Sequence, residues 1–302
     1  MKRILITGSN GLLGQKLIKN LITLREENYD VLATSQGENR MSDRKGYNYQ
    51  SLDITNVNDV EAVFDSFQPD VVINTAAMTN VDVCETEKEK CRQLNVEAVM
   101  HLINASRKHN SHLIHLSTDF VFDGKSGPYR ETDKPNPLSF YGQSKFDSER
   151  LLEESNIKWS IVRTIIVYGV AESMSRNNIV LWAKQALEKG DPLSIVNDQF
   201  RSPTLAEDLA EGCLLIADKE KEGVFHLSGK DQMSIVELVK RVANYFHLNT
   251  ISIKEVSSST LSQAAKRPPK TGFILDKAIS ELGYNPHSFE EGLQILENQL
   301  QA

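Results

Sequence analysis

The sequence has few cysteines, few aromatic residues and no long apolar run. Three of its 302 residues are cysteines, an odd number that favours a reducing compartment over a disulfide scaffold. Lysine and arginine (34) are outnumbered by aspartate and glutamate (41), so the chain lacks the basic surface that nucleic acid or an anionic membrane requires. No stretch approaches the roughly 18 apolar residues of a membrane span. We therefore expect a cytoplasmic protein without nucleic-acid or membrane partners.

Short apolar runs alternate with segments of helical spacing through the first half of the chain. Such alternation predicts βαβ units, and near-continuous apolar strands indicate a parallel sheet covered on both faces. The expected fold is α/β, a doubly wound parallel sheet of the Rossmann type. The strand candidates are 4–6, 29–34, 71–74, 112–117 and 159–163, and the helix candidates are 12–22, 57–67, 85–108 and 141–154.

A glycine-rich turn follows the first strand candidate. It reads Gly8-Ser9-Asn10-Gly11-Leu12-Leu13-Gly14 and opens a helix candidate. Three such glycines allow a tight turn, the approach of a pyrophosphate and close packing of the helix, whose first N–H groups bind the phosphates. The spacing is one residue longer than the usual dinucleotide fingerprint, but the strand before it and the helix after it favour a dinucleotide site over a purely structural turn.

The regular alternation of strand and helix candidates ends after Tyr168. We therefore assign residues 1–168 to an NAD(P)-binding Rossmann domain and residues 169–302 to a smaller α/β substrate-binding lobe. Segments near 193–228 are expected to return to the Rossmann sheet, so that the division is not a single clean cut.

The residues after the second strand candidate favour NADPH, with NADH as the alternative. An NAD site places an acid there for the ribose 2′-hydroxyl, and this stretch has none. Arg40, Arg44 and Lys45 follow in the sequence, and Arg40 is the best candidate of the three for a 2′-phosphate contact. That these are solvated charges of a loop is an equally good interpretation. Asp53 is placed to accept a hydrogen bond from the adenine amino group, unless it caps the following helix.

Tyr141 and Lys145 form the candidate catalytic pair. They lie four residues apart and so share one face of a predicted helix. A nearby ammonium lowers the pKa of a phenol and makes it a useful proton donor. The spacing alone is weak evidence, but Thr118 ends a strand candidate, and ligands in open α/β sheets bind beyond the carboxyl ends of strands. The Thr118 hydroxyl is thus placed to contact a substrate carbonyl.

These motifs together resemble the extended short-chain dehydrogenases, and more narrowly the dTDP-4-dehydrorhamnose reductase branch. Further matching segments run in order along nearly the whole chain: 74–79, Leu94-Asn95, 117–124, 197–199, Pro203-Thr204 and 267–269. The resemblance implies reduction of the 4-keto group of a nucleotide-linked deoxysugar, with Tyr141 giving a proton, Thr118 sharing the oxyanion and Lys145 holding the nicotinamide ribose.

The resemblance also implies further contacts. It implies that the cofactor is contacted by Ala76, Ala77, Met78, Asp53 and Ile54. It also implies that Asn95 supports the geometry of the active site. Substrate contacts are implied at Thr79, Asp119, Ile166, Gln199, Arg201 and Arg267. Arg267 pairs with the diphosphate in this interpretation. Two positions depart from the branch: Ile166 stands where an aromatic residue is common, and Arg201, where a small residue is common, is either a ligand for a substrate anion or a surface charge.

Several alternatives stay open at this point. A dehydratase of the same superfamily needs a glutamate after Thr118-Asp119, where this chain has Phe120. An epimerase and a non-catalytic regulatory subunit similar to that of methionine adenosyltransferase are the rivals. No metal site is expected, since Cys84, Cys91, His101 and His109 fit no zinc spacing. The remaining partner expectations are a nucleotide-sugar substrate and, as an option, a second copy in a homodimer.

Overall fold

A computed structural model describes residues 1–25, 27–174 and 177–301. Its centre is a seven-stranded parallel sheet in the order β11-β6-β5-β4-β1-β2-β3. The strands are β1 (Lys2–Thr7), β2 (Tyr29–Ser35), β3 (Asn48–Ser51), β4 (Val71–Asn74), β5 (His112–Thr118), β6 (Trp159–Thr164) and β11 (Gly223–His226). The doubly wound Rossmann prediction is confirmed.

Helices cover both faces of the sheet because its central strands, such as β1, β4 and β5, are largely buried on both sides. One face is packed by α1 (Leu12–Leu24) and α8 (Ala206–Asp218), around side chains such as Ile4, Leu17 and Leu214. The other is packed by α2 (Val57–Phe67), α5 (Ala98–His109) and α6 (Phe140–Glu153), with Phe64 and Leu102 in its core. The parallel order brings the carboxyl ends of β1, β4 and β5 side by side.

The helix expected over 85–108 is interrupted. α3 (Val81–Thr86) and α4 (Lys88–Arg92) precede a wider turn of π-helix at Gln93–Glu97, and α5 follows it. Because residues in a π turn hydrogen-bond five positions apart, the turn carries one extra residue, a feature common at functional sites. Apolar spacing alone does not reveal such an insertion.

A second apolar core lies outside the central sheet. It contains α7 (Ile179–Lys189), α9 (Ile235–Tyr245) and α10 (Phe289–Gln301), which pack around Val180, Leu238 and Leu293. The short strands outside the central sheet are β7 (Val167–Tyr168), β8 (Leu193–Val196), β9 (Phe200–Arg201), β10 (Thr204–Leu205), β12 (Met233–Ser234) and β13 (Ile253–Val256).

The two strand segments that were expected to return to the Rossmann sheet behave differently. β11 does return and pairs with β6 from Gly223–Ser160 to His226–Arg163. β8 instead pairs with β13 in a separate two-stranded sheet. Both segments are short and apolar, so only the pairing partner distinguishes them.

Candidate active site

The glycine-rich turn packs against the end of β4. Gly8 has a φ of +71°, and a Cβ placed on it would lie 2.7 Å from the backbone nitrogen of Ala76. A Cβ on Gly14 would lie 2.5 Å from the Cα of Ser9, so that only glycine lets α1 start this close to the turn. No side chain caps the first turn of α1 at Gly11.

The same turn contains an orphaned hydroxyl. Ser9 Oγ is buried and has no hydrogen-bond partner among the described residues. A buried polar group without a partner is costly, and it is common where a ligand supplies the missing bond. Together with the uncapped helix start, this hydroxyl fits a pyrophosphate, so the residues present are suited to a dinucleotide.

Asn10 ties the loop after β2 to the turn. Its Oδ1 accepts the backbone N–H of Arg40 at 2.9 Å, and its Nδ2 donates to the carbonyl of Glu38 at 2.8 Å. The Arg40 side chain is exposed and donates to the carbonyl of Ser173 at 3.4 Å. The backbone of Arg40 is therefore tied to the glycine-rich turn.

Asp53 holds its own turn together. Its Oδ1 accepts the N–H of Thr55 at 2.9 Å and the Thr55 hydroxyl at 2.7 Å, while Asn56 caps α2. Oδ2 accepts a hydrogen bond from Gln36 at 3.1 Å. Ile54 is buried beside it. Asp53 therefore does not cap α2, and both of its carboxylate oxygens already accept hydrogen bonds within the protein.

Asn95 joins the end of β4 to α6. From the π turn, its Oδ1 accepts the N–H of Met78 at 2.8 Å and its Nδ2 lies 3.1 Å from both the Met78 carbonyl and Ser144 Oγ. Ala76 and Ala77 precede this anchored residue, and Thr79 after it is exposed. The extra residue of the π turn thus positions a buried amide that fixes the strand end.

Tyr141 stands in the first turn of α6, which Ser139 caps through the N–H of Gly142. Its phenol is buried close to the Thr118 hydroxyl, and its ring lies edge-on to Phe120 at 5.7 Å. Burial raises the pKa of Tyr141, and the Thr118 bond only partly opposes the rise. The expectation that Lys145 lowers this pKa is therefore wrong, because desolvation raises it by more.

Lys145 is buried one turn further along α6. Burial lowers the pKa of its ammonium to about 8, with Glu149 and Cys91 acting in the opposite direction. Its Nζ lies 3.1 Å from Nε2 of His115 on β5. A phenol that keeps its proton and a lysine that exchanges one near neutral pH can together run acid–base chemistry.

Asp119 and Arg201 are both buried and hold a loop of the second lobe. The Arg201 guanidinium donates to the carbonyls of Phe200 and Pro268, both at 2.7 Å, and its Nε lies 3.5 Å from Asp119 Oδ2. Thr271 donates to the same carboxylate. The surface-charge alternative for Arg201 is wrong, and its donors point at protein groups instead of solvent.

Three other expected substrate residues are held by contacts within the protein. Arg267 forms an ion pair with Asp82 on α3, with Nη2 to Oδ2 at 2.6 Å. Gln199 is buried, and its carbonyl accepts the N–H of Ile235. Ile166 has a φ of +34° and is partly buried against the sheet core. Sequence reasoning missed Asp82 and His115, since neither lies within a recognisable local motif.

The described residues contain no cluster of three potential metal-binding side chains and no helix long and apolar enough to cross a membrane.

A model of the RmlD substrate binding domain family matches residues 1–302. The chain belongs to this family. Within it, a dTDP-4-dehydrorhamnose reductase of Aggregatibacter actinomycetemcomitans is 35% identical over 97% of this chain and 98% of its own length. The methionine adenosyltransferase 2 subunit beta of Danio rerio is 32% identical over 88% of this chain and 81% of its own length. Relatives at similar identity to this chain thus carry two different names.

Comparison with solved structures also finds a dTDP-4-dehydrorhamnose reductase. A dTDP-4-dehydrorhamnose reductase of Bacillus anthracis, in complex with NADP, superposes with a TM-score of 0.86 at 29% identity, covering 99% of this chain and 100% of that one. The extended short-chain dehydrogenase resemblance and its reductase branch are confirmed.

Proposed function

We propose that this chain uses NADPH to reduce the 4-keto group of a nucleotide-linked deoxysugar, as dTDP-4-dehydrorhamnose reductases do. The observation that carries the proposal is the buried Tyr141 phenol beside the Thr118 hydroxyl, with Lys145 one helical turn away. The name of the Aggregatibacter relative supports the reaction, and the NADP complex of the Bacillus relative supports the cofactor.

Each side chain has a role in this reaction. Bound NADPH supplies a hydride to the carbonyl carbon. The Tyr141 hydroxyl, which burial keeps protonated, donates its proton to the carbonyl oxygen, while Thr118 holds that oxygen by a hydrogen bond. In its ammonium form, Lys145 stabilises the phenolate that remains and holds the ribose hydroxyls.

In this proposal, residues from the glycine-rich turn to the segment after β4 would hold the cofactor. Ser9 and the N–H groups at the start of α1 bind the pyrophosphate, and Arg40 binds the 2′-phosphate. Asp53 and Ile54 would contact adenine, and the segment 76–78 would contact the rest of the cofactor. On the substrate, Arg267 pairs with the diphosphate, with Thr79, Ile166 and Gln199 around the sugar.

Turnover of a panel of 4-keto nucleotide sugars tests the proposal. Loss of NADPH absorbance is expected with the wild type, and Tyr141→Phe is expected to lower kcat roughly 10²- to 10⁴-fold, because the proton donor is gone while the ring stays in place. Wild-type activity that survives this substitution would contradict the role of Tyr141.

The same assay separates the rival functions. Absence of turnover on every sugar, together with a stable complex with a methionine adenosyltransferase catalytic subunit, would favour the regulatory function carried by the relatives of that name. Purified protein that retains NAD without any being added would favour an epimerase. Phe120, in place of a glutamate, argues against a dehydratase.

The proposed location is the cytoplasm, which the three free and buried cysteines support. A homodimer is part of the proposal as an option, and sedimentation of the purified chain tests it.

A further inference from the structure

A row of polar side chains crosses the core of the sheet. Thr7, Asn74 and His115 occupy matching register positions on the neighbouring strands β1, β4 and β5, and all three are fully buried. Strands of a parallel sheet are normally apolar on both faces, and buried polar groups are costly unless they are hydrogen-bonded. The row ends at Lys145 Nζ, 3.1 Å from His115 Nε2.

The hydrogen bonds along this row have a fixed direction. Asn74 Oδ1 accepts from the Thr7 hydroxyl at 2.6 Å and from the N–H of Ala76 at 3.2 Å, so the amide nitrogen of Asn74 faces His115 Nδ1 at 3.0 Å. Because an amide NH₂ only donates, Nδ1 must accept. Burial, together with the nearby Lys145, puts the pKa of His115 well below its usual value, so the ring is neutral and carries its proton on Nε2.

Two groups lie 3.1 Å from His115 Nε2: Ser148 Oγ and Lys145 Nζ. Ser148 already gives its hydrogen to the carbonyl of Lys145 at 2.7 Å and retains lone pairs to accept one. An ammonium has no lone pair, whereas a neutral amine has one. The N–H of His115 therefore suits Lys145 as an amine and disfavours it as an ammonium at this position.

The other titratable groups around Lys145 act the opposite way. Glu149 on the same helix and Cys91 on α4 both favour the ammonium, while burial disfavours it. Glu149 is itself bound to Arg163, with 2.6 Å between Oε2 and Nη2. His115 on β5 lies 3.1 Å from Lys145 Nζ, where a donated N–H would favour the amine.

We propose that His115 is a positioning residue that donates its Nε2 hydrogen to the amine of Lys145 and thereby keeps this lysine ready to release and regain a proton. The inference rests on the proposed function, since it assigns Lys145 to proton handling beside Tyr141. After Tyr141 has given its proton to the substrate, an ammonium at Lys145 can return one, and the amine that results is stabilised by His115 until it is reprotonated from solvent.

Nitrogen-15 spectra of the histidine rings in the cofactor-free wild type test the hydrogen bond without any turnover. The seven histidines are assigned by single substitutions. The expected result is an Nε2–H tautomer of His115 between roughly pH 6 and 10, with a step in its ring shifts near pH 8 as Lys145 titrates. Lys145→Met removes the step. A proton on Nδ1, or a His115 signal that Lys145→Met leaves unchanged in its pH dependence, would overturn the proposal.

The pH profile of kcat/KM supplies the second arm. In His115→Gln, the amide oxygen can accept from an ammonium, so the alkaline limb is expected to move up by roughly one pH unit. The matched control is His112→Gln. His112 is a second buried histidine on β5, bound to Ser160 Oγ at 2.8 Å, and its replacement should leave the limb in place.

The outcomes of the two arms separate the two proposals. A kcat that falls equally at every pH in His115→Gln, with the limb unmoved, would reduce His115 to a structural role and overturn the inference. Absence of turnover in the wild type would contradict the proposed function, while the ring spectra would still decide the hydrogen bond between His115 and Lys145.

Discussion

Arg201 Nε lies 3.5 Å from Asp119 Oδ2, and both side chains are almost fully buried. Because Asp119 follows Thr118 and Arg201 donates to the carbonyl of Pro268, this ion pair connects the candidate active site to the 267–271 loop. Burial raises the pKa of Asp119, and Arg201 and Thr271 oppose that rise. Removal of either side chain would therefore leave the other charged group buried without its partner.

Arg201→Ala is expected to destabilise the protein by roughly 3–5 kcal/mol, since it leaves a buried carboxylate without its cation. It should also raise KM for the nucleotide sugar, because the Pro268 carbonyl loses its donor. Urea unfolding and initial rates measure the two effects. The matched control, Arg150→Ala, breaks an exposed pair with Glu154 and should change little. Unfolding curves that coincide for the two variants would contradict the linkage.

Asp82→Asn is expected to lower KM for the nucleotide sugar several-fold. The Asp82 carboxylate holds Arg267 at 2.6 Å and competes with a substrate diphosphate, while asparagine keeps an acceptor for the N–H of Ala265. Arg267→Ala should raise KM, because a diphosphate loses a planar bidentate partner. Steady-state kinetics of both variants check this. If Asp82→Asn raises KM as Arg267→Ala does, Asp82 orients the arginine and does not compete for it.

Arg40→Ala is expected to raise KM for NADPH about tenfold while leaving that for NADH unchanged, because a charge-assisted bond to phosphate contributes about 1.5 kcal/mol or more. The neighbouring exposed Arg44 provides the control, and Arg44→Ala should affect both cofactors equally little. Parallel titrations of the two cofactors give the ratio. An equal loss for NADH would assign Arg40 to the loop structure and not to the 2′-phosphate.

The buried Lys145 gives stability a pH dependence. Burial lowers its pKa to about 8 from the ordinary 10.5, so between these values the unfolded chain binds more protons than the folded one. The contribution of Lys145 to the free energy of unfolding should therefore rise with pH across this window and be least favourable below it. Denaturant unfolding of the wild type and Lys145→Met at pH 7 and at about pH 10 measures the difference. If the difference in unfolding free energy between the wild type and Lys145→Met is the same at both pH values, the lowered pKa of Lys145 is contradicted.

Local pattern was sufficient for much of the fold. The glycine-rich turn between a strand and a helix was predicted because only glycine accepts the φ of Gly8 and the close approach at Gly14. The common face of Tyr141 and Lys145 follows from helical spacing, and the candidate strands of the central sheet follow from runs of apolar residues. Each of these features depends on residues within one or two turns of chain.

Other features depend on residues far apart in the sequence. The interpretation of Arg201 as a possible surface charge was wrong because its partners, Asp119 and Pro268, lie on distant segments. The same holds for the pKa of Tyr141, which burial raises when spacing alone suggested that it is lowered. Burial is a property of the packed molecule and cannot be predicted from residue spacing.

The sequence by itself determined the parallel sheet, the phosphate-binding turn and the helix that carries Tyr141 and Lys145, because these follow from backbone geometry and short-range periodicity. Only the tertiary structure decided that β8 pairs with β13, that a π turn positions Asn95, and that Thr7, Asn74 and His115 form one row ending at Lys145. Strand register and side-chain packing bring these groups together across long separations in the chain, and no local pattern encodes them.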